Sequence, residues 1–156
     1  MSSPSSVSEL PTGGAEPAVD HAAVQRMLKD DIASNTLGIE LIELSRGGAT
    51  VTMTVSETML NGHAIVHGGY VFLLADTAFA CACNSYGPVT VAAGAQITYI
   101  APVHRGERLV ARAIERARYG RNGIYDICVS GPNGVVAEFR GTSRTIGRGA
   151  DGGAGV

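Results

Sequence analysis

Residues 68–87 read GGYVFLLADTAFACACNSYG, a long apolar stretch that carries a single charge, Asp76. Ala75, Ala78, Ala80 and Ala82 are interleaved with larger apolar side chains, so a helix over this stretch has no polar face to turn to water. Such a helix must be buried all round, and the rest of the chain must supply a layer that covers it. A carboxylate inside it costs free energy unless it is paired or put to use. Just upstream, residues 61–69 read NGHAIVHGG. Gly68 and Gly69 there open the helix, and the first amides of a helix have no partner within it, so they are offered to whatever lies at its start.

The remaining sequence is strand-like. Before the apolar stretch, Val24, Met27, Leu28 and Ile32 recur at three- and four-residue spacing, which predicts one amphipathic helix with Asp20 as N-cap and Gly38 after its end. The period then changes to two. Residues 39–44 and 49–55 flank Arg46-Gly47-Gly48 and predict a hairpin. After the apolar helix come four more strands, over 89–100, 108–119, 123–130 and 135–146. The turns Gly120-Arg121-Asn122 and Gly131-Pro132-Asn133-Gly134 link the last three. Helix, two strands, one very apolar helix and four strands imply an α+β domain in which an antiparallel sheet wraps a central helix.

The chain of 156 residues is long enough for one domain with a substantial core. The domain is expected over 18–147, between a Ser/Pro/Gly-rich N-terminal tail, 1–17, and a glycine-rich C-terminal tail, 148–156, both expected to be flexible. A net charge of −2 excludes the broad basic field of a nucleic-acid binder. The apolar stretch is too short to span a membrane, and the N-terminus has no basic-then-apolar signal pattern, so a cytoplasmic location is expected. Cys81, Cys83 and Cys128 are odd in number and have no C-x-x-C spacing, and they read as small core residues in a reducing compartment. There is no G-x-S-x-G elbow for a serine hydrolase and no phosphate-binding glycine motif at a strand-to-helix turn.

The segment L-N-G-H-x-x-x-H-G-G-x-x-F-x-L-A-D-T-A-F-A over 60–80 resembles the hotdog-fold acyl-CoA thioesterases, in the branch that serves phenylacetic acid degradation (the PaaI type). G-I-Y-D over 123–126 and F-R-G-x-S over 139–143 also look like that branch. The resemblance runs over residues 22–147 and is most specific near the apolar helix. It implies a hotdog fold, hydrolysis of an aryl-acyl-CoA of the phenylacetyl or hydroxyphenylacetyl type to free acid and CoA, and assembly as a homodimer and on to a homotetramer. Coenzyme A then enters as part of the substrate, and no cofactor is implied. The alternatives are a non-catalytic acyl-CoA-binding sensor domain, which would be expected to lack a buried acid, and a hotdog hydratase or dehydratase.

The residues divide into roles. The Gly68 amide, helped by the helix dipole, would polarise a thioester carbonyl and hold its oxyanion; alternatively the glycines only permit a tight turn. Asp76 would be general base on water or nucleophile, the two being equally open, unless it is a structural acid. Eight residues separate Gly68 from Asp76, about 12 Å along a helix, whereas attack needs contact within about 3.5 Å. Asp76 therefore cannot serve the amides of its own helix. A second chain, with its helix antiparallel, must supply one of the two, and this predicts a dimer that shares its sites.

His67 matches a histidine that helps set the loop and carbonyl site, and Asn61 one that orients water or substrate; a loop-ordering bond and a turn are their structural alternatives. His63 and His67 lie four apart, but the glycines around them argue for a loop, no third ligand is evident, and no metal is expected. Thr77 faces away from Asp76, as a core or interface hydroxyl. Tyr70, Val71 and Leu74 are expected to wall the acyl pocket, and Gly69 to bind substrate at the helix start. Among the arginines at 112, 116, 118 and 121, mostly a solvated face, Arg118 and Arg121 with Asn122 and Gly123 are the candidates for the nucleotide end of CoA.

Overall fold

The computed structural model describes residues 17–147, so the expected tails lie outside the described residues except for Pro17. Two short helices, α1 (His21–Asp30) and α2 (Ile32–Thr36), precede β1 (Glu40–Ser45) and β2 (Gly48–Thr54). A 3-10 turn (Glu57–Met59) and a tight loop lead into α3 (Gly68–Asn84). Then follow β3 (Thr90–Tyr99), β4 (Arg108–Tyr119), β5 (Asn122–Gly131) and β6 (Gly134–Thr145). The six strands form one antiparallel sheet in the order β1-β2-β4-β5-β6-β3.

Period-2 patterning delivers two rows of small and apolar side chains to the face that α3 covers. One row runs Val51, Ala111, Val129, Ala137 and the other Ala49, Ala113, Ile127, Phe139, each from neighbouring strands in register. All eight are buried. Alanines on β4, the middle of the sheet, leave room for the helix, and Leu74, Ala75, Ala78 and Phe79 of α3 fill it. Gly141 of β6 shows how close the approach is: a Cβ there would lie 2.8 Å from the Phe79 ring.

Three expectations change in detail. The first helix ends at Asp31, whose backbone (φ −82°, ψ 85°) leaves the helical region and starts α2 with its side chain as N-cap. Ile32 is consequently not on the packed face and is 79% exposed. The helix α3 is not covered all round: Phe72, Leu73, Asp76 and Ala80 form a half-buried stripe along it. Beside that stripe runs β3, which pairs only with β6 and leaves its other edge open among the described residues.

Candidate active site

The loop before α3 is built by short-range contacts. Asn61 Oδ1 accepts from the amides of His63 (2.8 Å) and Ile65 (3.4 Å), and the Asn61 amide donates to Ile65 O at 2.8 Å. Ala64 closes this knot with a left-handed φ of 58°, a conformation that costs an L-residue about 1 kcal/mol and is held by the surrounding bonds. His67 caps the helix: its Nδ1 accepts from Gly69 N–H at 2.9 Å. That bond assigns the ring proton of neutral His67 to Nε2, which leaves the far side of the ring as a donor. It also occupies the Gly69 amide, so Gly69 has no donor to offer. The Gly68 amide has no partner among the described residues.

Tyr99, at the end of β3, completes this end of the site and had no signal in the local sequence pattern. Its hydroxyl donates to Gly68 O at 2.9 Å, and its ring lies 2.8 Å from where a Gly68 Cβ would stand. Glycine is thus required at 68 by close approach rather than by the turn. Asn61, Val66, Gly68, Val71 and Tyr99 line a cavity of about 460 Å³. Tyr70 meets the His67 ring edge-on, with centroids 6.3 Å apart. Leu74 is fully buried in the core and lines neither cavity of the site.

Asp76 lies in a different cavity, of about 580 Å³, whose other walls come from α1 (Ala23, Met27), from α3 (Phe79, Ala80) and from β3 (Val91). Burial first, and the nearby Asp31 carboxylate second, raise Asp76 above the ordinary carboxylate range. Asp31 and the α1 wall were not legible as parts of the site, because their contact with α3 spans more than 40 residues of chain. Thr77, beside Asp76, is buried and hydrogen-bonds Leu73 O and Ser34 Oγ, both at 2.9 Å, as a core hydroxyl. Burial, with Asp31 contributing, pushes the Cys81 thiol up to about 12, and burial does the same to Cys83, so neither is a nucleophile.

The arginines are largely engaged. Arg118 sits 3.7 Å from the centroid of the Tyr86 ring and 3.9 Å from Glu115. Arg121 Nε donates to Thr145 O at 3.0 Å, and Arg116 faces Asp126 at 3.3 Å. Arg118, Arg121 and Asn122 nevertheless converge on one small surface cavity that shares Cys83 and Thr90 with the Asp76 cavity. Gly123 has a packing reason of its own, since a Cβ there would lie 2.7 Å from the Tyr125 ring and 2.9 Å from Ser143 Oγ. The segments 123–126 and 139–143 lie opposite one another on β5 and β6, where Arg140 holds Asp126 in two hydrogen bonds of 2.6 and 2.8 Å. The described residues contain no cluster of three or more potential metal ligands and no helix long and apolar enough to cross a membrane.

A family model, the thioesterase superfamily, matches residues 63–130. The acyl-coenzyme A thioesterase PaaI of Escherichia coli (strain K12) is 46% identical over 122 residues, 78% of this chain and 87% of that protein. The solved structure of the E. coli PaaI protein from the phenylacetic acid degradation operon superposes with a TM-score of 0.80 at 43% identity, covering 82% of this chain and 94% of that one. A variant of the phenylacetic acid degradation protein PaaI from Thermus thermophilus superposes at 0.72 with 35% identity, covering 74% of this chain and all of that one. The chain belongs to the hotdog-fold acyl-CoA thioesterases of the PaaI type within the thioesterase superfamily, and it is an enzyme, a thioester hydrolase.

Proposed function

We propose that the protein hydrolyses aryl-acetyl-CoA thioesters at sites shared between two copies of the chain, with the Gly68 amide of one copy and Asp76 of the other at each site. The observation that carries this reading is the division of α3. One helix presents an unpartnered amide in one cavity and an acid of raised proton affinity in another, eight residues apart. Neither cavity alone holds both a carbonyl-polarising donor and a base.

The open edge of β3 supports the pairing. Its ten residues, TVAAGAQITY, hold no charge and no proline, and most of the strand is exposed. A long, uncharged, proline-free edge of this kind, with one bulge between Ala92 and Gly94, is a template for another strand. Antiparallel pairing of two β3 edges about a twofold axis normal to the sheet also makes the two α3 helices antiparallel. The half-buried stripe of Phe72, Leu73, Asp76 and Ala80 then faces the partner, and the start of one helix comes beside the middle of the other. A tetramer would follow from pairing two such dimers.

In the reaction, a water oxygen attacks the thioester carbonyl carbon while Asp76 takes the water's proton. The Gly68 N–H stabilises the resulting oxyanion, a charge that exists only after attack, so the interaction favours the transition state over the substrate. Collapse of the tetrahedral intermediate breaks the C–S bond, and the Asp76 proton passes to the departing thiolate. Asp76 attacking directly, through an anhydride that water then opens, uses the same geometry. Asn61 Nδ2, which has no partner among the described residues, is available to orient the water. Because a thioester is already activated, this scheme uses no cofactor. The aryl-acetyl preference is supported by the likeness to PaaI of the phenylacetic acid degradation operon and by the largely apolar lining of the Asp76 cavity. Arg118 and Arg121 would meet the CoA phosphates at the surface beside it.

The test is thiol release from a panel of aryl- and alkyl-acyl-CoAs, combined with mixing of two inactive variants. Asp76→Ala and Gly68→Val are each expected to be inactive. Heterodimers between them contain one intact site and should recover activity toward half the wild-type level. Confirmed heterodimers with no recovered activity would end the shared-site reading, and absence of thiol release from every acyl-CoA would end the functional one.

A further inference from the structure

We propose that Asp31 is a positioning residue for this chemistry: it stands as a fixed second carboxylate in the Asp76 cavity and sets how readily Asp76 takes a proton. The inference rests on Asp76 being the base of the proposed reaction.

The placement of Asp31 is determined at three levels. Locally, it interrupts a sequence that would otherwise continue as one helix, and it caps the next one, Oδ1 accepting from Ser34 N–H at 2.9 Å and Oδ2 from Ser34 Oγ at 2.5 Å. Ser34 is 2% exposed, and its hydroxyl meets Thr77 Oγ1 at 2.9 Å. A hydroxyl has one proton to give. Ser34 Oγ bonds Asp31 and Thr77 Oγ1 bonds Leu73 O, so two protons serve three contacts, and either hydroxyl can donate in the Ser34–Thr77 one. The two buried hydroxyls link Thr77, the residue next to Asp76, to the Asp31 carboxylate. This ties the cap of α2 to α3 at the turn that carries Asp76.

The electrostatic surroundings give that placement a consequence. Arg26 and Asp30 reach the cavity from the exposed face of α1, Cys83 from α3 is held neutral by burial, and β3 contributes only uncharged side chains. Asp31 alone joins burial in raising Asp76. A like charge in a half-buried cavity opposes loss of the Asp76 proton, and a base with higher proton affinity is better matched to neutral pH.

The experiment compares pH profiles of kcat/KM for the wild type, Asp31→Asn, Asp31→Glu and Asp31→Ala, alongside carbon-13 NMR titration of the Asp76 carboxyl and thermal melts. Asn caps a helix as well as Asp does, so Asp31→Asn removes the charge and keeps the fold. Its acid limb and the Asp76 titration should both move to lower pH at low salt, and by less at high salt. Asp31→Glu keeps the charge and should return both toward wild type. Asp31→Ala should show the same shift and a lower melting temperature. An Asp76 titration that is unchanged in Asp31→Asn overturns the proposal, as does a shift in Asp31→Ala alone, which would make Asp31 purely a cap. Because the NMR titration needs no turnover, a shifted titration without thioester hydrolysis would sink the functional reading, and with it the positioning role, while leaving only the coupling of the two carboxylates.

Discussion

The start and the middle of α3 are held in place by different means. At the start, the contacts are short in sequence: Asn61 with His63 and Ile65, and His67 with Gly69. In the middle, Asp76 is surrounded by residues brought from far away, Asp31 through Ser34 and Thr77, the wall of α1, and β3. The start is a rigid backbone device, in which one glycine amide is left open and its neighbour is capped. The middle is a cavity whose character depends on how two helices pack. The first arrangement yields a donor at fixed geometry, and the second a carboxylate of raised proton affinity. In the proposed shared-site reading, this division is what makes each chain hold two half-sites.

The sharpest way to break the comparison is Asp76→Asn. The amide keeps the shape and removes the proposed base, and kcat should fall by roughly 10²- to 10⁴-fold. Stability should move the other way. The folded pKa of Asp76 is raised, so the folded state holds its proton to higher pH than the unfolded state, and stability falls as pH rises through that window. The variant should therefore melt above wild type at pH 7, with the difference vanishing near pH 3. Thiol-release kinetics and melts across that range check both statements. A rate close to wild type together with a lower melting temperature would make Asp76 structural.

A smaller effect is expected at the other end. Gly68→Ala keeps the amide, but its Cβ collides with the Tyr99 ring, so the loss comes from displacement. A shift of this size should lower kcat by roughly 10- to 100-fold. Adding Tyr99→Leu in the same chain should recover part of that loss by opening space. If the double variant is no better than Gly68→Ala, the collision is not the cause.

His67 separates cap from chemistry. Asparagine can still accept from the Gly69 amide, whereas alanine cannot, and His67→Ala should lose about 1 kcal/mol of stability that His67→Asn retains. If Nε2–H takes part in carbonyl binding, both variants should lose several-fold in kcat; equal rates in His67→Asn and wild type would confine His67 to the cap. Denaturant titration and initial rates answer the two halves separately.

The smallest effect belongs to the arginines. Arg121 is exposed and already bonded to Thr145 O, so Arg121→Ala should raise KM by roughly two- to fivefold and leave kcat nearly unchanged. The rise should appear with a CoA thioester and disappear with a truncated pantetheine thioester. Equal weakening of both would remove Arg121 from the nucleotide end.

Much of this architecture is legible in residues close together in the chain. The hairpin around Arg46-Gly47, the alternating strands, the Asp20 cap and the apolar helix follow from periods of two and 3.6 residues and from turn chemistry, all local properties. The 60–80 segment could be read for the same reason, since cap, loop and acid lie within one run of chain. The missed features are those where side chains meet across the sheet or between helices. The break at Asp31 depends on Ser34 finding Thr77, and the closeness of Tyr99 to Gly68 depends on β3 lying at the sheet edge beside α3.

By itself the sequence determined the order of elements, the one helix that had to be buried, and the separation of about 12 Å that forbids Gly68 and Asp76 from acting together in one chain. Only the tertiary structure decided that Leu74 belongs to the core, that His67 occupies the Gly69 amide, and that α1, β3 and Asp31 are the surroundings of Asp76. The physical reason is that periodicity reports which face of an element is apolar, whereas a cavity is set by which faces meet, and that is settled by packing between residues far apart in the chain.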